Sequence, residues 1–201
     1  MAGHPGLRGR QEDDVQMSPE RTRAGLARAL EIRPIGLDDF AAVRYVHESA
    51  FRLLAAGQYT EAEIAAFHDH VYSTRYSDML MQHVLLTGWL GGELVATSGW
   101  ALPAERDEAA RIRAVFVRPL FTGIGIGQRM VEAAEGDARR SGFTEFAVRA
   151  TLNAVGFFES LGYEVTSHGT RTLAGRATIQ VAFMRKNDED AVAPVAPLGR
   201  A

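Results

Sequence analysis

The chain has 201 residues, of which 46% are hydrophobic and 23% are charged, and its formal net charge is −3. This length suffices for one domain with a sizeable core, and the charge balance does not suggest a nucleic acid partner. The absence of cysteine excludes disulfides, thiolate zinc sites and a cysteine nucleophile. Because no apolar run is long enough to span a membrane and no secretory signal is recognisable, we expect no membrane partner and a cytoplasmic location.

The two ends have the composition of mobile segments. Residues 1–30 are expected to be a leader that is disordered or contains one short helix. That helix would run from Pro19 to about Leu30, with Leu26 and Leu30 on one face. Residues 187–201 are rich in proline and small residues and are expected to form a flexible tail.

The ordered part is expected to begin with a strand and a helix. Residues 31–35 read as a short strand, and Pro34 suggests that it lies at a sheet edge or ends there. A helix opens near Leu37 and is closed by Gly57. Its apolar residues are spaced to form one stripe facing the core.

A second helix is predicted from Thr60 to about Tyr72. Thr60 and Glu63 have the spacing of a capping box. His68 and His70 resemble a metal motif, but residues two apart on a helix point in nearly opposite directions. We therefore expect no metal there and interpret both histidines as solvated or substrate-facing.

Two apolar runs then surround a glycine pair. Residues 83–90 and 93–101 flank Gly91 and Gly92, a pattern typical of an antiparallel hairpin. Residues 102–109 follow as a charged loop.

The most informative stretch comes next and reads strand, glycine-rich turn, helix. Residues 112–117 have the apolar, β-forming composition of a buried strand, which Pro119 ends. A helical period begins at Ile126, and Gly142 suits the position after the helix end. Between strand and helix lie three glycines at alternate positions: Gly123, Gly125 and Gly127.

Three glycines at a helix N-terminus favour a cradle for phosphate or pyrophosphate. The backbone can turn tightly there, and the first helical N–H groups lack internal partners. A tight turn that binds nothing is the alternative, and one glycine would suit it better than three. A dinucleotide fingerprint needs glycine where Gln128 stands, and a nucleotide P-loop needs Gly-Lys-Ser/Thr, which is absent.

The rest of the chain is predicted to complete a parallel βαβ unit and to add two closing strands. Residues 143–150 form the second parallel strand. A short helix begins at Asn153. The closing strands cover 163–167 and 178–184, and the turn between them contains Gly169 and Gly175.

The glycine turn resembles the acyl-CoA signature of the GNAT acyltransferase superfamily. That signature has valine, proline and glycines at fixed spacing on a strand, loop and helix. Thr122 stands where the family usually has arginine or glutamine. The second half of the family pattern matches at Gly162 and Tyr163, but Phe158 replaces the usual tyrosine and Thr151 the usual asparagine. The first half reads Val117-Arg118-Pro119-Leu120-Phe121-Thr122-Gly123-Ile124-Gly125-Ile126-Gly127.

This resemblance implies an α+β GNAT fold for residues 31–186 as a single domain. The element order would be β-α-α-β-β-β-α-β-α-β-β. The central sheet would be mixed and mostly antiparallel, splayed between two parallel strands and flanked by helices. The pantetheine arm of acetyl-CoA would lie in that gap, bonded to the first parallel strand, with its pyrophosphate on the glycine turn. The cofactor-binding residues implied are Val115, Phe116, Val117, Thr122, Gly123, Ile124, Gly125, Ile126, Gly127, Gln128, Thr151 and Phe158.

The resemblance implies a metal-free acetyltransferase that moves an acetyl group from acetyl-CoA to an amine of a small molecule or peptide. A non-catalytic acyl-CoA-binding sensor of the same fold is the alternative, because phenylalanine at 158 cannot donate a proton to the departing thiolate. A dinucleotide enzyme is a third alternative, which the glycine spacing disfavours. The sequence does not decide the oligomeric state: the alternatives are a monomer and a homodimer that pairs through the hairpin or the closing strands.

No catalytic base or acid is assigned from the sequence. Candidates for the base, by position, are Glu105, Asp107, Glu108, Tyr72 and His168. Residues that could line an acceptor pocket are Tyr45, Glu48, Tyr59, Tyr72, Tyr76 and Trp100.

Overall fold

The computed structural model of the protein describes residues 25–105 and 107–187. Most of the helix predicted from Pro19 lies outside the described residues, and 25–28 form a single helical turn. Leu30 is buried, whereas the side chain of Leu26 is 41% exposed, so the two leucines predicted to share one helical face are not buried together. Ala27, which is buried, takes that place beside Leu30.

The described residues form one seven-stranded sheet in the order β1-β2-β3-β4-β5-β7-β6. Only β4 and β5 are parallel among the paired strands described, and the other pairs are antiparallel. The mixed, mostly antiparallel GNAT sheet expected from the sequence is therefore confirmed. The strands are β1 Glu31–Pro34, β2 Val84–Leu90, β3 Glu93–Ala101, β4 Ala110–Val117, β5 Glu145–Thr151, β6 Glu164–Thr172 and β7 Thr178–Asn187.

Five α-helices flank this sheet within the described residues. One of them, α3, was not predicted, because its eight residues are too few to show a clear apolar period. Short 3-10 turns precede α1, α4 and α5 and join β6 to β7. The α-helices are α1 Phe40–Leu54, α2 Glu61–Val71, α3 Thr74–Met81, α4 Ile126–Arg140 and α5 Val155–Glu159.

Several predicted boundaries are explained by caps and turns. The Thr60 hydroxyl accepts from the Glu63 N–H, and the Glu63 carboxylate accepts from the Thr60 N–H, so the capping box is formed. Gly91 and Gly92 both have positive φ, +56° and +82°, which fits the tight hairpin turn expected there.

The prediction for the closing hairpin is wrong at Gly169. This glycine lies inside β6, paired with Val181, and only Gly175 belongs to the turn. A Cβ at Gly169 would come within 2.8 Å of the Phe183 ring. The glycine is needed there because an aromatic side chain covers the strand, and not because the chain reverses.

The core divides at the sheet. On one face, α1, α2 and α3 pack against the strands through residues such as Val46, Phe67 and Leu80. On the other face, α4 packs through Val131, Ala134 and Ala138 onto the middle of the sheet. Helices therefore pack on both faces of β4.

A bulge in β4 changes which side chains face which layer. The pairing of β3 with β4 shifts between Thr97 and Gly99, and Ala114 has a positive φ of 52°. Before the bulge Ile112 faces α4. After it, Val115 and Val117 face α4 while Phe116 turns towards α1. The extra residue thereby re-aims the end of β4.

Candidate acyl-CoA site

The parallel strands separate at the centre of the sheet. β4 and β5 are paired only at Ala110 with Phe146, Arg111 with Ala147, and Ile112 with Val148. Beyond these pairs β4 stays with β3 up to Val117, and β5 stays with β7 up to Thr151. The sheet therefore opens into a cleft whose walls carry unpaired main-chain groups.

The glycine turn lies at the mouth of this cleft. Gly123 and Gly125 have φ of +72° and +89°, conformations that L side chains adopt only with strain. The first helical hydrogen bond in this turn runs from the Arg129 N–H to the Gly125 carbonyl, at 3.1 Å. No backbone acceptor within the described residues is found for the N–H groups of residues 123–128. They are the free donors of a helix N-terminus and suit an anion.

Gly127 lets Phe157 and Val117 pack closely against the turn. A Cβ there would come within 3.2 Å of the Phe157 ring and 3.5 Å of Val117. The adjoining cavity has a volume of about 570 Å³, within the range of small-molecule sites. Its lining comes from the end of α1, the end of β4, the glycine turn, the end of β5 and the α5 region.

The structure brings together ten of the twelve residues predicted from the sequence to bind the cofactor. The side chains of Ile124 and Ile126 do not line the cavity, and both pack in the core cluster beside Met130. These two residues offer the site only main-chain groups. The ten residues lining the cavity are Val115, Phe116, Val117, Thr122, Gly123, Gly125, Gly127, Gln128, Thr151 and Phe158.

The cavity contains little positive charge near the glycine turn. Thr122 donates its hydroxyl to the Pro119 carbonyl, so this hydroxyl can only accept from another donor. Arg118 is paired with Glu93 at 2.6 Å, and Arg129 donates to the Ala27 carbonyl. Any anion at the turn would therefore be held by main-chain dipoles rather than by an arginine.

Phe158 lies between the cavity and the core. It lines the cavity, yet its side chain is buried against Phe157 and Tyr163. The neighbouring Tyr163 hydroxyl points away from the cavity and donates to the Glu135 carboxylate at 2.8 Å. Burial beside that carboxylate raises the pKa of Tyr163, so it does not replace the missing tyrosine as an acid.

A buried hydrogen-bond chain, which sequence reasoning missed, supports the bulge. The Thr97 hydroxyl donates to the Ala114 carbonyl at 2.6 Å, so its lone pair accepts from His47 Nε2 at 2.7 Å. His47 Nδ1 is then the acceptor for the Tyr76 hydroxyl, also at 2.7 Å. Burial lowers the pKa of His47 to about 3 and raises that of Tyr76 to about 12, so both side chains are neutral.

Two further cavities lie next to each other on the α1–α3 face of the sheet. Their volumes are about 400 and 520 Å³, and they share four arginines. Phe116 lines both the smaller of them and the cavity at the glycine turn. We name these joined spaces the arginine cavity; its shared cationic residues are Arg111, Arg113, Arg149 and Arg171.

Of the residues predicted to line an acceptor pocket, Tyr76 is the one that lines the arginine cavity. Trp100 lies on the opposite face and donates its indole N–H to Asp137. The Tyr59 hydroxyl is engaged by the Gln180 carbonyl and the Leu152 N–H. Sequence alternation in β4, where arginines flank Ile112, was the signal that could have pointed to this cavity instead.

Among the base candidates only Asp107 lines the arginine cavity, and its carboxylate is held by Arg185 at 2.8 Å. Of the two interpretations of His70, solvated or substrate-facing, the first is wrong, whereas the ring does line the arginine cavity. Its side chain is 5% exposed, and its Nδ1 accepts from the Ala174 N–H, because the turn between β6 and β7 packs against α2. His68, in contrast, is exposed as expected.

The described residues contain neither a metal-binding cluster nor a membrane-spanning helix. No cluster of three or more histidine, aspartate or glutamate side chains there could hold a metal ion. No described helix combines the length and the apolar character that crossing a bilayer requires.

A cleft between splayed parallel strands beside a glycine-rich helix N-terminus defines an acyl-CoA-binding α+β protein. The family model for the acetyltransferase (GNAT) domain matches residues 55–178, more than half of the chain. The chain therefore belongs to the GNAT acetyltransferase family.

Relatives and solved structures agree with this assignment. An uncharacterized acetyltransferase of Streptococcus pyogenes serotype M1 is 34% identical over 70 residues, which are 35% of this chain and 48% of that protein. A second S. pyogenes acetyltransferase, in the arcA 3′ region, is 33% identical over 70 residues, 35% of this chain and 47% of its own length. The chain thus spans about half the length of the curated relatives it matches.

Structural similarity extends over most of the domain. A GCN5-related N-acetyltransferase from Rhodopseudomonas palustris has a TM-score of 0.70 at 22% identity, covering 78% of this chain and 94% of that one. PaiA N-acetyltransferase from Thermoplasma acidophilum, in complex with coenzyme A, has a TM-score of 0.64 at 18% identity, covering 79% and 98%. The Salmonella typhimurium protein yncA, with its cofactor acetyl-CoA, has a TM-score of 0.54 at 17% identity, covering 83% and 98%. At these identities the similarity shows a shared fold.

Proposed function

We propose that this protein transfers an acetyl group from acetyl-CoA to an amine by direct attack within a ternary complex. The observation that carries the proposal is the cleft between β4 and β5, which ends at the free N–H groups of residues 123–128. Proteins of the same fold contain coenzyme A or acetyl-CoA. The residues fit that ligand here, because Gly123, Gly125 and Gly127 line the cavity without side chains that would cover the free N–H groups.

The transfer replaces the carbon–sulfur bond with a carbon–nitrogen bond and removes two protons from the nitrogen, one from the ammonium before the attack and one as the amide forms. Water takes up the first proton, and the released thiolate or water takes up the second. The amine nitrogen attacks the thioester carbonyl carbon, the carbon–sulfur bond breaks, and the coenzyme A thiolate leaves. An alkyl ammonium with a pKa of about 10.4 must lose a proton before it can attack. Thiols are far more acidic, with a pKa of about 8.5 for cysteine, so the leaving thiolate needs no protein acid. This removes the demand for a hydroxyl at Phe158.

The first test measures binding at the glycine turn. Gly125→Glu should abolish binding of acetyl-CoA in isothermal titration calorimetry, because a bulky carboxylate would occupy the anion cradle. Gly125→Ala is the matched control, since it brings the same strain at positive φ without the bulk or the charge. Unchanged affinity in Gly125→Glu would contradict the placement of the diphosphate on this turn.

The second test separates an enzyme from a sensor. Release of free coenzyme A from acetyl-CoA should depend on an added amine. If no amine of a broad panel releases it, while acetyl-CoA still raises the Tm, the protein is an acyl-CoA-binding sensor. The replacement of the usual tyrosine by Phe158 is the observation that favours this second function.

A further inference from the structure

The arginine cavity concentrates positive charge that the described residues 25–105 and 107–187 do not neutralise. Arg111 and Arg113 come from β4, Arg149 from β5 and Arg171 from β6, so four guanidinium groups from three strands converge. Arg75 of α3 adds a fifth at the rim. Five cations around one space of this size repel one another unless an anion lies between them.

The protein partners of these arginines are neutral. Arg113 donates to His83 Nε2 at 2.6 Å and lies 3.4 Å from the Met79 sulfur. Arg149 lies over the Phe183 ring, and Arg111 donates to the Leu102 carbonyl. Among the described residues none of the four shared arginines forms an ion pair, although the same structure pairs other cations with carboxylates, such as Arg185 with Asp107.

Arg171 lies against the His70 ring, which cannot accept a hydrogen bond from it. The Ala174 N–H donates to His70 Nδ1 at 3.1 Å, so that nitrogen carries no proton and the neutral ring is protonated at Nε2. The Arg171 guanidinium is 3.1 Å from this Nε2 and therefore faces another donor. An anion in the cavity would supply the missing acceptor.

Burial and mutual repulsion lower the pKa values of three of these arginines. They lower the pKa of Arg113 to about 10 and also lower the pKa of Arg149 and of Arg171. The carboxylates that line the cavity are too few to balance this charge. They are Asp78, on the rim, and Asp107, which is already held by Arg185.

The arginine cavity also has the right position for an acceptor. Phe116 separates it from the cavity at the glycine turn, and Ile112 and Ala114 line it at the point where β4 and β5 part. An amine at this end would meet a thioester in the cleft. The anionic part of the same molecule would then extend towards Arg149 and Arg171.

Resting on the proposed acetyl transfer, we propose that the acceptor is a small primary amine that carries carboxylate or phosphate groups, bound by Arg113, Arg149 and Arg171. Arginine suits both anions, because its planar fork can donate two parallel hydrogen bonds to a carboxylate or a phosphate. Cavities of about 400 and 520 Å³ fit a small molecule, which is why we favour one over an acidic peptide.

Matched pairs of amines test the preference for an anion. Each pair differs in one anionic group: 4-aminobutanoate with 1-aminobutane, and 2-aminoethyl phosphate with ethanolamine; 1,4-diaminobutane is the cationic member. We expect the anionic member to exceed its neutral partner in kcat/KM by roughly tenfold or more, as a charge-assisted hydrogen bond requires. The pair with the larger ratio identifies carboxylate or phosphate. Equal rates within both pairs, or a preference for 1,4-diaminobutane, would overturn the proposal.

Arginine substitutions test the location. Arg149→Gln should raise KM for the preferred anionic amine by roughly tenfold or more, with a much smaller change in kcat. The matched control is Arg140→Gln, which removes the same charge from an exposed residue at the end of α4, where Arg140 pairs with Asp137. A KM that rises equally in both variants would mean a general charge effect and overturn the site.

A binding measurement keeps the two proposals separable. 4-Aminobutanoate and 2-aminoethyl phosphate are titrated calorimetrically into protein saturated with coenzyme A. If no amine releases coenzyme A, the transfer proposal fails, but binding that Arg149→Gln weakens still supports an anion site. Absence of binding by both probes overturns the anionic acceptor. Transfer to an acidic peptide, with none to the small amines, overturns the small-molecule assignment.

Discussion

His47 is the residue on which the geometry of the cleft depends most directly. It has no exposed surface, and its two ring nitrogens link Tyr76 on α3 to Thr97 on β3. Through Thr97 the chain of hydrogen bonds reaches the carbonyl of Ala114, the residue with positive φ at the bulge. A strained backbone conformation persists only where its surroundings hold it, and these side chains do so here.

Removing the Thr97 hydroxyl should therefore be costly. Thr97→Val leaves the His47 Nε2–H and the Ala114 carbonyl without their partner, so we expect the free energy of unfolding to fall by about 2 kcal/mol or more. Urea denaturation measures this. Thr170→Val, at an exposed position on β6, is the control and should change stability by less than about 0.5 kcal/mol. Equal losses in the two variants would contradict a supporting role for the chain.

Acid should destabilise the fold through the same histidine. Burial lowers the pKa of His47 to about 3, so the unfolded chain takes up a proton near pH 6.5 while the folded protein does not. The stability is thus fully present above pH 6.5 and is lost as the pH falls towards 3. From pH 6.5 to pH 5 this one group should remove about 2 kcal/mol. His70 and His83, whose pKa values burial also lowers to about 4, act in the same direction.

Urea denaturation at pH 7.5, 6.5, 5.5 and 5.0 would measure that slope. His47→Gln should be less stable than the natural protein at pH 7.5 and should lose less stability on acidification. His168→Gln alters an exposed histidine of β6 and should keep the original slope. The interpretation would be wrong if His47→Gln were as sensitive to acid as the unchanged chain.

Among the elements, helix α4 has two roles. Its N-terminus forms the glycine turn, and its middle is fixed to the sheet. Glu135, 1% exposed, accepts from the Tyr163 hydroxyl at 2.8 Å and pairs with Lys186 of β7 at 2.9 Å. Arg139, one turn later on α4, pairs with the same carboxylate at 3.0 Å. This network anchors the helix whose first turn is the candidate anion cradle.

Breaking the network should destabilise the protein strongly. Glu135→Ala would leave the largely buried Lys186 ammonium and Tyr163 hydroxyl without their partner, and the free energy of unfolding should fall by about 3–5 kcal/mol. Thermal unfolding followed by circular dichroism would detect this as a lower Tm. Glu132→Ala, three residues earlier and exposed, is the matched control and should leave the Tm nearly unchanged. Similar shifts in both variants would show that Glu135 adds no special anchoring.

The elements also show what the sequence could and could not predict. The hairpin and the glycine turn were predictable because glycines with positive φ mark them locally. Helix α3 was missed because eight residues show too little periodicity, and Gly169 was misplaced because its reason is the Phe183 ring packed across the strand. The arginine cavity was not predicted because its four shared arginines, separated by up to 60 positions in the chain, come together only through strand pairing.

At the scale of the whole molecule, charge is distributed unevenly. The formal net charge of −3 conceals a face on which five arginines line one cavity. A cavity of one sign concentrates ligands of the opposite sign and speeds their arrival, an effect that salt screens. Overall composition could not indicate this cavity, because a net charge averages over a field that the fold concentrates.

The arrangement of the two cavities leads to a kinetic prediction. The cavity at the glycine turn and the arginine cavity meet at Phe116 and at the cleft, so donor and acceptor can be bound together. With no cysteine in the chain to hold an acetyl group as a thioester, direct transfer is expected. Initial rates measured against acetyl-CoA at several amine concentrations should give intersecting double-reciprocal lines. Parallel lines would indicate an acetylated enzyme, and the nucleophile would then have to come from another side chain facing the cleft.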